Sequence, residues 1–154
     1  MRMGNQFAVC KSELSLEEKG KKVTLTPRRG EEAKAIVLDG CVFTDNNIKC
    51  DALYLFNGGG KKVAALVELK GAGDIRHAFE QLAYTRKHRP EYQVLKSGLD
   101  KSAQGQLIEK AFIVTNGMLP KPEREKLENA HGIRISAVLQ SEASSKIPDL
   151  RDWF

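Results

Sequence analysis

The stretch 51–70, DALYLFNGGGKKVAALVELK, decides the fold. Ala52 to Phe56 and Val63 to Leu69 are rich in β-branched, aromatic and aliphatic residues. The four residues between them, Asn57-Gly58-Gly59-Gly60, can hardly do anything but turn. A hairpin centred on Gly59 and Gly60 sets Phe56 opposite Val63, Leu55 opposite Ala64, Leu53 opposite Leu66, and Asp51 opposite Glu68. Directly opposed residues of an antiparallel pair hold their Cβ atoms about 4.5–5.5 Å apart. Lys70 lies two residues beyond Glu68 and projects from the same face. Two carboxylates and an ammonium are therefore expected together at one end of a hairpin. Both faces of that hairpin are otherwise apolar, which belongs in a sheet interior. Charge is rare there unless it is paired or bound to metal.

Working outward, Gly71 and Gly73 end the second strand, and Asp74 can cap a helix that runs to about Arg89 with Pro90 as its stop. Ile75, Ala78, Phe79 and Leu82 recur at helical spacing and should face the sheet. A polar stretch containing Gly98 and Gly105 precedes a short strand, Ala111 to Thr115. Pro122 opens a helix that ends near Gly132, Ile133 to Leu139 reads as a last strand, and Trp153 and Phe154 offer docking side chains in the tail. Upstream, Ala35 to Leu38 reads as a strand. Val42-Phe43 and Ile48 read as a hairpin about Thr44 to Asn47, which sets Cys41 opposite Cys50. Ser15 and Glu18 match a capping box for a short helix stopped by Gly20. Val23 and Leu25 follow as a strand. This order implies an α/β (α+β layered) domain with a mixed central sheet flanked by helices. There is no repeat or linker, so a single domain over residues 1–154 is expected.

The 154 residues, 41% hydrophobic and 29% charged, describe an ordinary soluble globular chain. No apolar run reaches the roughly 20 residues that span a bilayer. The opening MRMGNQFAVC lacks the apolar core of a signal peptide, so export is not expected. The net charge of +5 suits a polyanionic partner. It concentrates at Lys19, Lys21, Lys22, Arg28 and Arg29, and again at Arg86, Lys87 and Arg89; either cluster also reads as a solvated face. Three cysteines, Cys10, Cys41 and Cys50, with no CxxC spacing, point to reduced thiols and a cytoplasmic address. Gly58-Gly59-Gly60-Lys61-Lys62 is not a phosphate-binding loop, because it lacks the full pattern and joins two strands.

Two converging carboxylates are hard ligands suited to Mg²⁺, with Mn²⁺ able to substitute. Such an ion polarises a phosphoryl oxygen and acidifies a bound water, while a neighbouring lysine offsets developing charge. From spacing alone the competing reading is an ion pair of Lys70 with Glu68 or Asp51 at a sheet rim. Asp51, followed after a hairpin by Val67-Glu68-Leu69-Lys70-Gly71, resembles the D…(D/E)-x-K signature of the PD-(D/E)XK nuclease superfamily. Restriction endonucleases, Holliday-junction resolvases and RecB-like nucleases belong to it.

The resemblance spans about residues 36–116 and implies a restriction-endonuclease-like core of helix, three strands, helix and strand. It assigns metal binding to Asp51 and Glu68, the catalytic lysine to Lys70, and a supporting glutamine to Gln81. RecB-like members carry a tyrosine four residues after that glutamine; here Tyr84 stands three after. Cys50 replaces the motif's proline, and only Glu13, Glu17 or Glu18 could be the further acid that many members carry on an N-terminal helix. Asp39 is a reserve ligand.

The function implied is Mg²⁺-dependent hydrolysis of nucleic-acid phosphodiesters, DNA before RNA, in repair, recombination or phage defence. Tyr84, Arg86, Lys87 and Arg89 are candidate contacts to the strand. A chain of this length has little room for a target-recognition domain, so structure-selective cleavage, or help from a homodimer mate or partner subunit, is expected in place of site-specific restriction. The alternative is a domain that keeps the fold and binds nucleic acid or protein without cutting.

Overall fold

The central hairpin forms as its residues dictate. β5 (Ala52–Gly58) and β6 (Lys61–Lys70) pair antiparallel. Phe56 lies opposite Val63, Leu55 opposite Ala64, and Leu53 opposite Leu66. Gly59 and Gly60, with φ of 60° and 79°, make a turn that L side chains resist. The computed structural model describes residues 8–102, 105–142 and 145–154.

Six strands make one mixed sheet. Lys11–Ser12 (β1) pairs antiparallel with Glu32–Val37 (β4), which pairs antiparallel with β5. Beyond β6 the sheet continues in parallel with Gln106–Thr115 (β7) and Ala137–Gln140 (β8). The crossover from β6 to β7 carries α1 (Ile75–His88) and α2 (Pro90–Ser102), and that from β7 to β8 carries α3 (Lys121–His131). Gly132, left-handed at φ 65°, closes α3. The result is a mixed α/β fold with an α+β layered arrangement.

The period of two along β5 and β6 splits the core between two faces. Leu53, Leu55, Ala64 and Leu66 join Ile75, Ala78, Phe79 and Leu82 of α1 and Tyr92 and Leu95 of α2 on one side. Tyr54, Phe56, Val63, Val67 and Leu69 lie on the other side with Val23, Leu25 and Leu150. Among the described residues no α-helix packs on that second face. It is closed by a separate two-stranded ribbon, Leu16–Glu18 (β2) with Lys21–Val23 (β3), and by the tail. Phe154 meets Phe56 edge-on at 5.1 Å, and Arg151 pairs with Glu31 through both guanidinium arms at 2.7 and 2.9 Å. Trp153, expected to dock, is half exposed.

Four expectations are corrected. Residues 15–19 form no helix. Lys19 and Gly20, at φ 50° and 82°, turn the chain back as a hairpin, because Leu16 and Val23 lie opposite each other and pack on the sheet. The segment after β4 is no hairpin about residues 44–47 either. It folds back at once, with Phe43 N donating to Leu38 O at 2.8 Å and Gly40 N donating to Phe43 O at 3.0 Å. Cys41 accordingly does not face Cys50 but forms a disulfide with Cys10 (Cα–Cα 5.6 Å), which overturns the reading of three reduced thiols; Cys50 is free and buried. Finally, Pro90 stops α1 but also opens α2, as proline does at a first helical position.

No helix among the described residues is long and apolar enough to cross a membrane.

Candidate active site

The β5–β6 ladder ends at Ala52 and Val67. Just beyond it, side chains take over from the backbone. Asp51 N donates to Glu68 Oε1 at 2.9 Å, and Leu69 N donates to Asp51 Oδ2 at 2.8 Å. Lys70 Nζ stands 3.4 Å from Glu68 Oε2, with a fifth of its side chain exposed. Asp51, Glu68 and Lys70 are therefore brought together, at the point where β6, β7 and β8 end in step. Lys70 pairs with Thr115, and Thr115 with Gln140. Crevices outside the carboxyl ends of strands are where open α/β sheets bind ligands.

The electrostatics are unfavourable to two free carboxylates. Burial pushes the Glu68 carboxyl up to about 9, and the Asp51 charge adds to that against the pull of Lys70. Burial raises Asp51 to about 7, opposed by its bond from Leu69 N and reinforced by Glu18 and Asp39. At neutral pH and without a cation, Glu68 keeps its proton. Capping two backbone N–H groups does not account for this cost, since neutral Asn and Gln oxygens would accept the same bonds with less desolvation.

Both groups are oxygen donors of the kind Mg²⁺ and Mn²⁺ take, and a cation between them would offset the cost of ionising both, so the residues fit such an ion. Among the described residues no three His, Cys, Asp or Glu side chains converge on one metal position. Mg²⁺ is commonly held by one or two carboxylates with several waters.

Gln81 reaches the site through the backbone. Its Nε2 donates to Lys49 O at 3.1 Å, while its buried Oε1 has no partner among the described residues. Thr85, one turn on, accepts from Cys50 N at 2.9 Å and donates to Gln81 O at 2.8 Å. Thr85, not Tyr84, thus occupies the position four residues after the glutamine. It fixes the residue that precedes Asp51, a role that no spacing rule marked.

Two acids reach Asp51 from elsewhere. Glu18 does so from the β2–β3 ribbon instead of a helix, and Asp39 from the turn after β4, where Asp39 N points at Asp51 O (3.4 Å). Glu18 was one of three acids considered in the sequence, and Asp39 was expected to be only a reserve.

The expected strand contacts do not gather here. Arg89 is buried. It donates to both Asp45 oxygens at 2.8 and 2.7 Å and lies over the Phe43 ring at 4.1 Å, so it is an internal brace and not a free cation. Arg86 has buried Nε and Nη2 atoms without hydrogen-bond partners among the described residues. Lys87 donates to His131 O at 3.0 Å, and the Tyr84 and His88 rings, tilted 45° with centroids 4.9 Å apart, line a groove between α1 and α3. The Cys50 thiol is buried and pushed up by that burial and by the charge of Glu68, which makes it unreactive.

No family model matches the chain, and no curated protein or solved structure matches it.

Proposed function

We propose that this protein is a Mg²⁺-dependent nuclease that hydrolyses phosphodiester bonds of nucleic acid, DNA before RNA. The observation that carries the reading is the buried Asp51–Glu68 carboxyl pair beside Lys70 at the end of the β5–β6 ladder. Supporting it is the order of elements, three antiparallel strands, a helical crossover and a parallel strand, which agrees with the core that the PD-(D/E)XK resemblance implies except for its leading helix, in whose place the β2–β3 ribbon stands.

Asp51 and Glu68 would hold the ion, which supplies Lewis acidity and an acidified water. Lys70 stands where its ammonium stabilises negative charge growing on the scissile phosphate. Gln81 and Thr85 hold the 49–51 backbone so that Asp51 points at Glu68. Glu18 and Asp39 deepen the local negative potential and favour a cation.

A homodimer mate or partner subunit would complete target selection. Nucleic acid in the cytoplasm is the natural substrate pool. The Cys10–Cys41 disulfide pulls against that address, since disulfides persist in oxidising compartments.

One observation favours a second reading, a domain that binds without cutting: both carboxylates already have backbone donors. Cleavage of plasmid, single-stranded, branched and RNA substrates with Mg²⁺ or Mn²⁺ separates the two. Asp51→Asn should lose both Mn²⁺ binding and cleavage. Lys70→Ala should keep Mn²⁺ while cleavage drops about 10²–10³-fold, the scale for removing one preorganised charge-stabilising group. A wild type that takes up Mn²⁺ yet cuts none of these substrates refutes the nuclease.

A further inference from the structure

We propose that the pocket under the β2–β3 turn is a subsite for one backbone phosphate of the bound strand, within a nucleotide or two of the carboxyl pair; it rests on the nuclease reading for its neighbour but not for its own chemistry. The pocket, about 210 Å³, is walled by Lys19, Gly20, Lys21, Asn116, Ser141 and Glu142. A water occupies roughly 30 Å³, so a phosphodiester and a few waters fit.

Lys21 is the reason to expect an anion. It is 7% exposed, yet its one hydrogen bond is to the neutral carbonyl of Lys19 at 3.2 Å, and among the described residues no carboxylate pairs with it. Lysine is almost never buried this far unless paired. Lys19 adds a second ammonium from a turn residue held at positive φ. Asn116 Oδ1 accepts from Ala72 N, which leaves its amide N–H₂ as a further donor. Ser141 Oγ is occupied by Lys22 N at 2.7 Å and acts as wall. Glu142 is the one acid that lines the pocket among the described residues.

The address is as telling as the charge. Lys21 is the cross-strand partner of Glu18, which lies against Asp51. Asn116 follows Thr115, the register partner of Lys70. Neighbouring strands are about 4.7–4.9 Å apart, and a nucleic-acid strand advances about 3.4 Å per nucleotide. A strand with one phosphate at Lys70 therefore carries another to Lys21. The ribbon that replaces the expected N-terminal helix both contributes Glu18 to the site and grips the substrate.

The test uses the full chain, a fluorescein-labelled single-stranded DNA of about 12 nucleotides, and EDTA, so that binding is read without cutting. Lys21→Met keeps the buried stem and removes the charge; it should weaken binding about tenfold and make the log Kd against log salt slope shallower by about 0.7. Lys21→Arg should restore both. Lys19→Asn, which keeps a residue tolerant of positive φ, should weaken binding less. Mn²⁺ affinity by calorimetry should be unchanged in all three variants.

Wild-type affinity and slope in Lys21→Met overturn the subsite. So does Lys21→Arg binding as weakly as Lys21→Met, which makes the lysine merely structural. A wild type that binds inorganic phosphate by calorimetry but no DNA also overturns it in favour of a free-anion site. A wild type that binds DNA through Lys21 but never cuts removes the nuclease and leaves the subsite. One that cuts undiminished in Lys21→Met does the reverse.

Discussion

Replacing Glu68 with Gln should stabilise the metal-free protein at alkaline pH. The Gln oxygen can still accept from Asp51 N, so the cap at the ladder's end survives while the charge is lost. The Glu68 carboxyl is raised from 4.5 to about 9, so between those values the folded state holds a proton that the unfolded chain has released. A raised carboxyl contributes stability that is complete below the unfolded value and is lost as pH climbs to the folded one. The loss runs at about 1.4 kcal/mol per pH unit. From about pH 5.5 to 8.5 that is up to about 4 kcal/mol from Glu68. Asp51, raised to about 7, adds up to about 2 kcal/mol over the lower half of the range.

Water entry screens buried charge, so a total of about 2–4 kcal/mol is expected in the wild type, and about a third of it, the share of Asp51, in Glu68→Gln. Glu31 and Asp45 lie near 2, held by Arg151 and Arg89, and do not titrate in this window. Urea unfolding at both pH values in EDTA measures the difference. Mg²⁺ should then restore the wild type at high pH, by about 2.7 kcal/mol at a hundredfold excess over Kd, and leave Glu68→Gln unmoved. A wild type equally stable at both pH values would refute the reasoning, as would a Gln variant less stable than wild type at the higher one.

Three further outcomes follow from the same structure. Metal must displace protons held by the raised Asp51 and Glu68 carboxyls, so Mn²⁺ affinity should rise with pH, Mn²⁺ binding by calorimetry should release protons into the buffer, and the midpoint of cleavage should move to lower pH as metal is added. Arg89→Ala breaks the brace to Asp45 and Phe43; it should lower the melting temperature while the salt dependence of DNA binding stays as in wild type. Reducing the Cys10–Cys41 disulfide, whose sequence separation is 31, should cost about 3–4 kcal/mol on the chain-entropy scale, seen as a lower urea midpoint in dithiothreitol than in buffer alone.

The register of β5 and β6 was legible because two local signals agreed. Four consecutive turn residues, Asn57 to Gly60, fix where the chain reverses, and the period of two then assigns every side chain a face. The extent of α1 was legible from apolar spacing and from Pro90. The ribbon at residues 16–23 was not, because Glu17, Glu18, Lys19 and the capping pattern from Ser15 favour a helix locally. Only the sheet face that Val23 covers makes a hairpin the better use of the segment. α2 was missed because it buries little beyond Tyr92 and Leu95, too few apolar positions to show a period. The disulfide joins residues 31 apart, and cysteine spacing does not reveal such pairs.

The same division explains what was read of the site. Asp51, Glu68 and Lys70 sit on one hairpin, so sequence distance and spatial distance coincide, and their convergence follows from a turn and a period. Glu18, Asp39, Gln81 and Thr85 reach Asp51 from a ribbon, a turn and a helix that tertiary packing alone brings near. The first group supplies two carboxyls and an ammonium. The second sets the field and the backbone position in which they work: Asp51 reaches about 7 by burial and by the charges of Glu18 and Asp39, with the Leu69 N–H opposing. A short motif can therefore name the groups that converge at such a site, while their protonation is a property of the fold.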